Sequence, residues 1–503
     1  MTDTILQLSN TPTLRRPICW TIAGSDSGGG AGIQADLKTM NALGVHGCSV
    51  ITALTAQNTL GVGAVDHVSP GMIEAQILAL QKDLPPAAIK TGMLGNAVSV
   101  KIVAEFLRLN DAFVVCDPVM TATRGGALLE PDAAAMLRTD LFPHINLLTP
   151  NLPETENLVA RAVRLETDVV RAAAQILDTG VKSVLIKGGH AGADLCQDYW
   201  TNGRESAWLS SRRQDVEHTH GGGCVLSSAI AAGVALGLSE LDAIVLAKAY
   251  VNHGLRHGGG IGKGRAPLAH TGWPDDPADM PWITRTAAEA AQKLVFPDCG
   301  PEPLGLYPIV DRASWVERLL PLGVQTIQLR VKDLAGAELE AEVTRAIAAA
   351  ASFKARLFVN DYWQLALKHG AYGVHLGQDD LPTADLGAIQ KAGCRLGLST
   401  HGYAEIARSM AVTPSYIAIG TVYPSPSKTF AHATLGLEAF ARLRRLVGVP
   451  VVAIGGITIE RARDVINAGA DGLAVISDVT KAADMDGRVR DWLELLREMA
   501  IRR

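Results

Sequence analysis

Six apolar runs punctuate the first 190 residues: PICWTIAG, GCSVITALTAQ, AAIKTGML, AFVVCDPVM, INLLTPN and SVLIKGGH. Each is short and bounded by glycine, proline or polar residues, and segments with helical spacing separate them. Continuous apolar runs of this length fit strands buried on both faces. Their alternation with helices predicts an α/β sheet, mostly parallel. Ligands of such sheets bind beyond the C-terminal strand ends, which makes the polar residues there candidates.

The second half has a different rhythm. Eight strand candidates follow one another: LYPIV, VQTIQLR, RLFVN, YGVHLG, RLGLST, YIAIG, PVVAIG and GLAVIS. Eight strand–helix units in about 200 residues predict a compact (β/α)8 TIM barrel, whose active site lies at the C-terminal mouth. The strand ends carry Gln328, Arg330 and Lys332, then Asn360 and Asp361, then Asp379 and Asp380. Ser399, the group Ser425, Ser427 and Lys428, the pair Gly455 and Gly456, and Ser477 follow in turn. Any one of these could be a solvated loop residue. Together they suit a phosphate and a hard cation.

Between the halves lies WPDDPADMPWITRTAAEAAQKLVFPDCGPEP. Prolines crowd both ends of a segment expected to be helical over roughly 283–295. This predicts a linker at 273–303 joining domains at 17–272 and 304–503, each folding by itself. A chain of 503 residues exceeds what one core supports.

Composition narrows the function classes. The net charge of −5, without a long basic run, argues against nucleic acid or an anionic membrane as partner. The apolar stretch from Ala229 to Leu238 is too short to cross a bilayer. The start, MTDTILQLSNTPTLRRP, lacks the basic-then-apolar pattern of a secretory signal. Seven scattered cysteines with no CxxC fit free thiols in a reducing cytoplasm, and not a zinc site. Small-molecule substrates and a homo-oligomer remain compatible.

Three stretches of the first half point to phosphate chemistry. HGGGC places Gly221, Gly222, Gly223 and Cys224 where a helical pattern begins. Glycines there let N–H groups face an anion, and a helix N-terminus adds positive potential. The alternative is a tight turn before a buried thiol. NLPE puts Asn151 and Glu154 after a strand, spaced either to serve a hydrated Mg²⁺ or to cap a helix. KGGH brings Lys187 to another strand end, beside a glycine turn.

In order along the chain, AGSDSGGGAGIQADLKTM, VITALTAQNT, KTGMLG, CDPVM, LLTPNLPE, IKGGH, HGGGC and GIGKG resemble the hydroxymethylpyrimidine/phosphomethylpyrimidine kinases of thiamine biosynthesis, members of the ribokinase-like superfamily. The resemblance covers about 17–270. It implies that Gln57 bonds the aminopyrimidine edge, with Gly24 and Asp26 near the pyrimidine or its phosphate. It places Asn151, Glu154 and Lys187 at Mg²⁺–ATP, and makes Gly221 to Cys224 an anion hole. Cys224 would be the base, with its thiolate favoured by the helix N-terminus. The chain departs from the family at Gly222 and Val225, where threonine is usual, and at Arg124 and Gly126.

Over about 304–485, QLRVKD, VNDYWQLA, VHLGQDDLP, GLSTH, GTVYPSPSK, AIGGI and VIS are similar to thiamine-phosphate synthases. This implies that Gln328, Arg330, Lys332, Asn360, Ser399 and Lys428 hold a pyrimidine diphosphate. Asp361 and Asp380 would bind Mg²⁺. Ser425, Ser427, Gly456, Ile476 and Ser477 would hold a thiazole phosphate, and Tyr362 departs from the family pattern. The first half would then make what the second consumes. Two rivals concern the first half: a vitamin B6 (pyridoxal-type) kinase of the same fold, and a non-catalytic pyrimidine sensor.

Overall fold

The computed structural model describes residues 16–120, 130–188, 194–216, 218–424 and 434–501. Ten strands form one sheet in the first half: β1 (Ile18–Asp26), β2 (His46–Asn58), β3 (Gly61–His67), β4 (Ala88–Thr91), β5 (Phe113–Cys116), β6 (Leu147–Leu148), β7 (Ser183–Ile186), β8 (Leu195–Thr201), β9 (Ser206–Arg212) and β10 (Trp282–Thr284). Their order is β10-β9-β8-β7-β6-β5-β4-β1-β2-β3.

The six apolar runs are β1, β2, β4, β5, β6 and β7, and they pair in parallel. The other four strands add antiparallel edges. The two outermost, β3 and β10, escape the sequence pattern because an edge strand need not be apolar on both faces. In β3, for example, five of seven residues are exposed. Helices Gly32–Ala42, Gly222–Ala235 and Glu240–Arg256 pack into one core, and Pro70–Asp83, Ala97–Arg108 and Glu166–Leu177 into a second. The strands contribute alternate residues to each, as Cys19 and Trp20 show. The result is an α/β sandwich.

The helix Gly222–Ala235 is buried continuously from Val225 to Gly233. Its small residues allow this. A Cβ on Gly233 would stand 2.9 Å from that of Ala243 on the next helix.

The second half closes as an eight-stranded parallel barrel: β11 (Gly305–Val310), β12 (Thr326–Leu329), β13 (Arg356–Asn360), β14 (Gly373–Leu376), β15 (Arg395–Thr400), β16 (Tyr416–Gly420), β17 (Val451–Ile454) and β18 (Gly472–Val475). Tyr307, Phe358 and Tyr416 fill its interior. Gly373 and Gly397 leave room for the Phe358 and Tyr416 rings, which a Cβ at either position would strike. Among the described residues no helix is long and apolar enough to cross a membrane.

The joining segment differs from expectation. No α-helix forms over 283–295. Residues Trp282–Thr284 become β10, followed only by a 3-10 turn at Ala288–Ala291. Pairing with β9 satisfies the backbone of WIT, which outweighs the helical propensity of the alanines after it. The segment is also docked at both ends. Buried Asp279 accepts from His253 Nδ1 (2.9 Å) and from Arg256 Nε and Nη2 (3.0 and 2.9 Å). On the barrel side, Phe296 and Leu294 exchange backbone bonds with Thr413. Arg356 donates to the carbonyls of Cys299, Glu302 and Pro303.

The two halves also share an interface. The barrel helix Tyr403–Ser409 packs against helix Glu240–Arg256 and β10, with Ile406 and Ala407 at 0 % exposure. The guanidinium of Arg442 lies 4.1 Å from the Trp273 ring centroid. Free halves would expose this apolar face. Fragments 1–280 and 300–503 are therefore expected to melt below the intact chain, the first more so because it lacks β10. Equal melting temperatures would show the interface to be energetically idle.

Candidate active sites

In the sandwich the candidate residues gather at the C-terminal strand ends. Asp26 ends β1 and turns its carboxylate back on its own loop. Oδ1 accepts from Gly28 N (2.8 Å), and Oδ2 from Gly30 N (3.1 Å) and Ala31 N (2.8 Å). His220 Nε2 lies 3.4 Å from Oδ2. Burial raises the Asp26 pKa, but the bonds from His220, Gly28 and Ala31 outweigh it and hold it below the usual carboxylate range. Asp26 thus organises the glycine loop.

Gln57 lies beside it, with Nε2 3.3 Å from His220 Nε2 and Oε1 accepting from Thr55 at 3.2 Å. His220 links the two candidates, a role that no sequence pattern marked. Gly24 packs against Met93, whose Cε would be 2.6 Å from an added Cβ.

Gly221 precedes helix Gly222–Ala235 with φ +80°, and a Cβ there would collide with the Gly30 carbonyl. Glycine is required twice over at this position. Gly222 faces open space, where a Cβ would meet only Leu268, at 3.9 Å. A threonine would fit, so this departure has no steric cause. Gly223 faces the Asp117–Lys187 ion pair, both of whose side chains would stand 3.2 Å from its Cβ. Val225 is buried.

The structure corrects the expectation of a thiolate at Cys224. Burial pushes the thiol up, Lys90 pulls it back, and Asp36 and Asp117 raise it again, to about 11. Beneath it lies an ion pair between Lys90 and Asp36 at 2.8 Å, with neither side chain exposed. Asp36 also accepts from Thr21 Oγ1 and Ser228 Oγ, each at 2.6 Å. Its carboxylate therefore joins β1, β4 and two helices. The sequence carried a signal for this pair: a lysine inside an apolar strand, and an aspartate on the buried stripe of Ile33 and Met40, both needing partners.

Lys187 Nζ donates to Asp117 Oδ1 at 2.8 Å. Asn151 and Glu154 form a capping box on helix Leu152–Val159: Glu154 Oε2 accepts from Asn151 N (2.8 Å), and Asn151 Oδ1 from Glu154 N (2.9 Å). Burial pushes the Glu154 carboxyl up to about 7, against Lys187 and with Asp117. Lys187, Asp117, Glu154 and the start of the helix carrying Cys224 thus form one cluster. Arg124 and Gly126 lie outside the described residues.

At the barrel mouth Lys332 Nζ pairs with Asp361 Oδ2. Asp361 has φ +64°, an uncommon conformation for a non-glycine residue and one associated with functional sites. Asp380 Oδ2 accepts from Gly377 N at 3.2 Å. Burial and the nearby Asp361 raise its pKa, which shows two carboxylates crowded together. Arg330 is half-buried and Asn360 buried. Tyr362 packs against the barrel's apolar core.

A polar chain missed in the sequence runs through the barrel. Gln328 Nε2 reaches Tyr307 Oη at 3.5 Å, Tyr307 bonds Tyr416 (2.6 Å), and Tyr416 bonds His375 Nδ1 (2.7 Å). His375 Nε2 meets Ser399 Oγ at 2.8 Å. Burial lowers the His375 pKa to about 4, so its ring is neutral near pH 7. Strand alternation pointed inward at His375 between Val374 and Leu376.

Gly456 (φ +60°) presses against the loop after β16, where a Cβ would stand 2.5 Å from the Pro424 carbonyl oxygen. Ile476 is 41 % exposed and Ser477 half-buried beside it. Ser425, Ser427 and Lys428 lie outside the described residues.

Each half thus sets cationic side chains and paired carboxylates at the mouth of a parallel sheet, an arrangement that defines phosphate-handling transferases. Residues 26–269 match the family described as Phosphomethylpyrimidine kinase, and residues 306–479 that described as Thiamine monophosphate synthase. A hydroxymethylpyrimidine/phosphomethylpyrimidine kinase of Streptomyces coelicolor is 47 % identical over 263 residues, spanning 52 % of this chain and 97 % of that protein. A thiamine-phosphate synthase of Klebsiella pneumoniae is 54 % identical over 191 residues, spanning 37 % of this chain and 90 % of that protein. Among solved structures, a Staphylococcus aureus pyridoxal kinase in complex with AMP-PCP and pyridoxal is 31 % identical, with a TM-score of 0.48, covering 51 % of this chain and 94 % of that one. The chain belongs to both families, the kinase family through its first half and the synthase family through its second.

Proposed function

We propose that the first half phosphorylates 4-amino-5-hydroxymethyl-2-methylpyrimidine twice with ATP, and that the second half condenses the resulting diphosphate with a thiazole phosphate. The products are thiamine phosphate and pyrophosphate. What carries this reading is the pair of complementary mouths: Lys187 with Asp117 and the Gly222 helix start beside Cys224, and Lys332 with Asp361 and Asp380 in the barrel.

In the sandwich, Gln57 holds the pyrimidine edge, with Gly24 and Asp26 shaping the wall around it. The N–H groups of Gly221 to Gly223 face the transferring phosphoryl group, where fixed donors stabilise developing charge. The small ionised fraction of Cys224 takes the proton of the hydroxymethyl oxygen. Lys187, Asn151 and Glu154 serve the nucleotide and its ion.

In the barrel, Gln328, Arg330, Lys332, Asn360, Ser399 and Lys428 hold the pyrimidine diphosphate. Ser425, Ser427, Gly456, Ile476 and Ser477 hold the thiazole phosphate. The bond from the pyrimidine methylene to the diphosphate oxygen breaks, and its electron pair leaves with the oxygen. The thiazole nitrogen lone pair then forms the new C–N bond.

Mg²⁺ fits both sites. The crowded carboxylates of Asp361 and Asp380, and those of Asp117 and Glu154, are hard oxygen donors whose mutual repulsion a divalent ion relieves. A bound ion would supply Lewis-acid neutralisation of phosphate charge.

The test incubates the protein with the pyrimidine alcohol, thiazole phosphate and Mg²⁺–ATP. Thiamine phosphate should form, and only with ATP present. Pyrimidine binding without ATP turnover, or faster turnover of pyridoxal, would replace this reading.

A further inference from the structure

Helix Tyr403–Ser409 starts four residues after Ser399 and has no side-chain cap of its own. Its N-cap is Gly402, which carries no side chain. The leading N–H groups of a helix need acceptors, and buried ones need them most. This helix is buried almost throughout. Its acceptor comes from the other half of the chain: Asp242 Oδ1 accepts from Ala404 N at 2.8 Å. Asp242 lies in the first turn of helix Glu240–Arg256, and its Oδ2 accepts from Ser239 Oγ at 2.6 Å. One carboxylate thus caps the start of the barrel helix and holds the Ser239 hydroxyl that caps its own. A Cβ on Gly402 would stand 2.8 Å from Asp242 Oδ1, so the glycine leaves the space the carboxylate uses.

The far end of the same helix is tied back to Ser399. Gln378 Nε2 donates to the Ser399 carbonyl at 2.8 Å and lies 3.3 Å from Ser409 Oγ. The Ser399 hydroxyl meets His375. The backbone of Ser399 is therefore framed by a helix whose N-terminus the kinase half holds.

We infer that Asp242, a residue of the kinase half, is a positioning residue for the synthase: it fixes the helix that sets Ser399 against the pyrimidine diphosphate. This rests on the reading of Ser399 as a pyrimidine diphosphate contact. A loose helix start lets the turn at 400–402 and Ser399 shift, which weakens grip on that substrate alone.

The experiment measures synthase and kinase kinetics of the full chain with Asp242→Ala, Asp242→Asn, Gly402→Ala, Ser399→Ala and the double variant Asp242→Ala/Gly402→Ala. Asp242→Ala should raise KM for the pyrimidine diphosphate by about 3- to 10-fold, the range that loss of a helix cap allows. KM for the thiazole phosphate and the kinase kcat should stay at wild type. Asp242→Asn keeps an acceptor oxygen and should restore the wild-type KM. Gly402→Ala reaches the same contact from the barrel side, at a φ of −164° that alanine adopts freely, and should reproduce the rise. The double variant should do no more than either single one. Wild-type KM in both single variants, additive effects, or equal rises in both substrates' KM would overturn the inference. Wild-type KM in Ser399→Ala would instead overturn the reading of Ser399 on which it rests.

Discussion

Asp361→Asn and Asp380→Asn are each expected to stop thiamine phosphate formation while both phosphorylations run at the wild-type rate. The two side chains sit at the mouth of the barrel, on loops following neighbouring strands. Asp380 holds its proton more tightly than an ordinary carboxyl because it is half-buried and faces Asp361. An amide has the same shape but lacks the anionic oxygen that a hard cation needs. Losing even an outer partner of a metal site costs about 10- to 100-fold, so losing a ligand should cost at least about 100-fold. Asparagine adopts the left-handed backbone of residue 361 at least as readily as aspartate, so the first variant should fold. With ATP supplied, pyrimidine diphosphate should accumulate, which product chromatography reads directly. Loss of kinase activity in either variant, or condensation at the normal rate, would show that the two chemistries are not divided between the halves.

Cys224→Ala should lower kinase turnover by about 10²- to 10⁴-fold, the usual cost of removing a general base, and leave nucleotide affinity unchanged. The thiol's position adds a pH signature. A pKa near 11 leaves about one part in 10⁴ ionised at pH 7, rising tenfold per pH unit. The wild-type kcat/KM for the pyrimidine alcohol should therefore climb with a slope near one between pH 7 and pH 9, and the residual activity of the alanine variant should not. Turnover in the variant equal to wild type would make Cys224 a buried thiol and nothing more. A flat wild-type profile would assign proton removal to another group.

Much of this protein was legible from its sequence because both folds build their sites from local patterns. A parallel strand buried on two faces reads as an unbroken apolar run, and the next residues lie at the strand's C-terminal end. That rule alone placed Asn151, Lys187, Gln328, Asp361 and Ser399 at the C-terminal edges of their sheets, where the structure has them. The glycines before Cys224 were legible for the same reason, since a helix start and the positive φ of Gly221 are local requirements.

Contacts between distant elements were not legible in this way. Asp36 and Lys90 stand 54 positions apart, His375 and Tyr416 41, and Tyr307 and Tyr416 109. No local pattern specifies which buried polar group meets which. The thiol of Cys224 reverses its expected ionisation because burial and two carboxylates converge on it from other elements. The segment 282–284 is a strand because β9 offers it an edge, against the helical propensity of the alanines beyond it. Asp242 reaches Ala404 across 162 positions. Local sterics and periodicity set the elements and their ends, and both are written in the order of residues. Partner choice across elements is settled by three-dimensional packing, in which each buried charge and N–H must find an acceptor or donor wherever the fold places one.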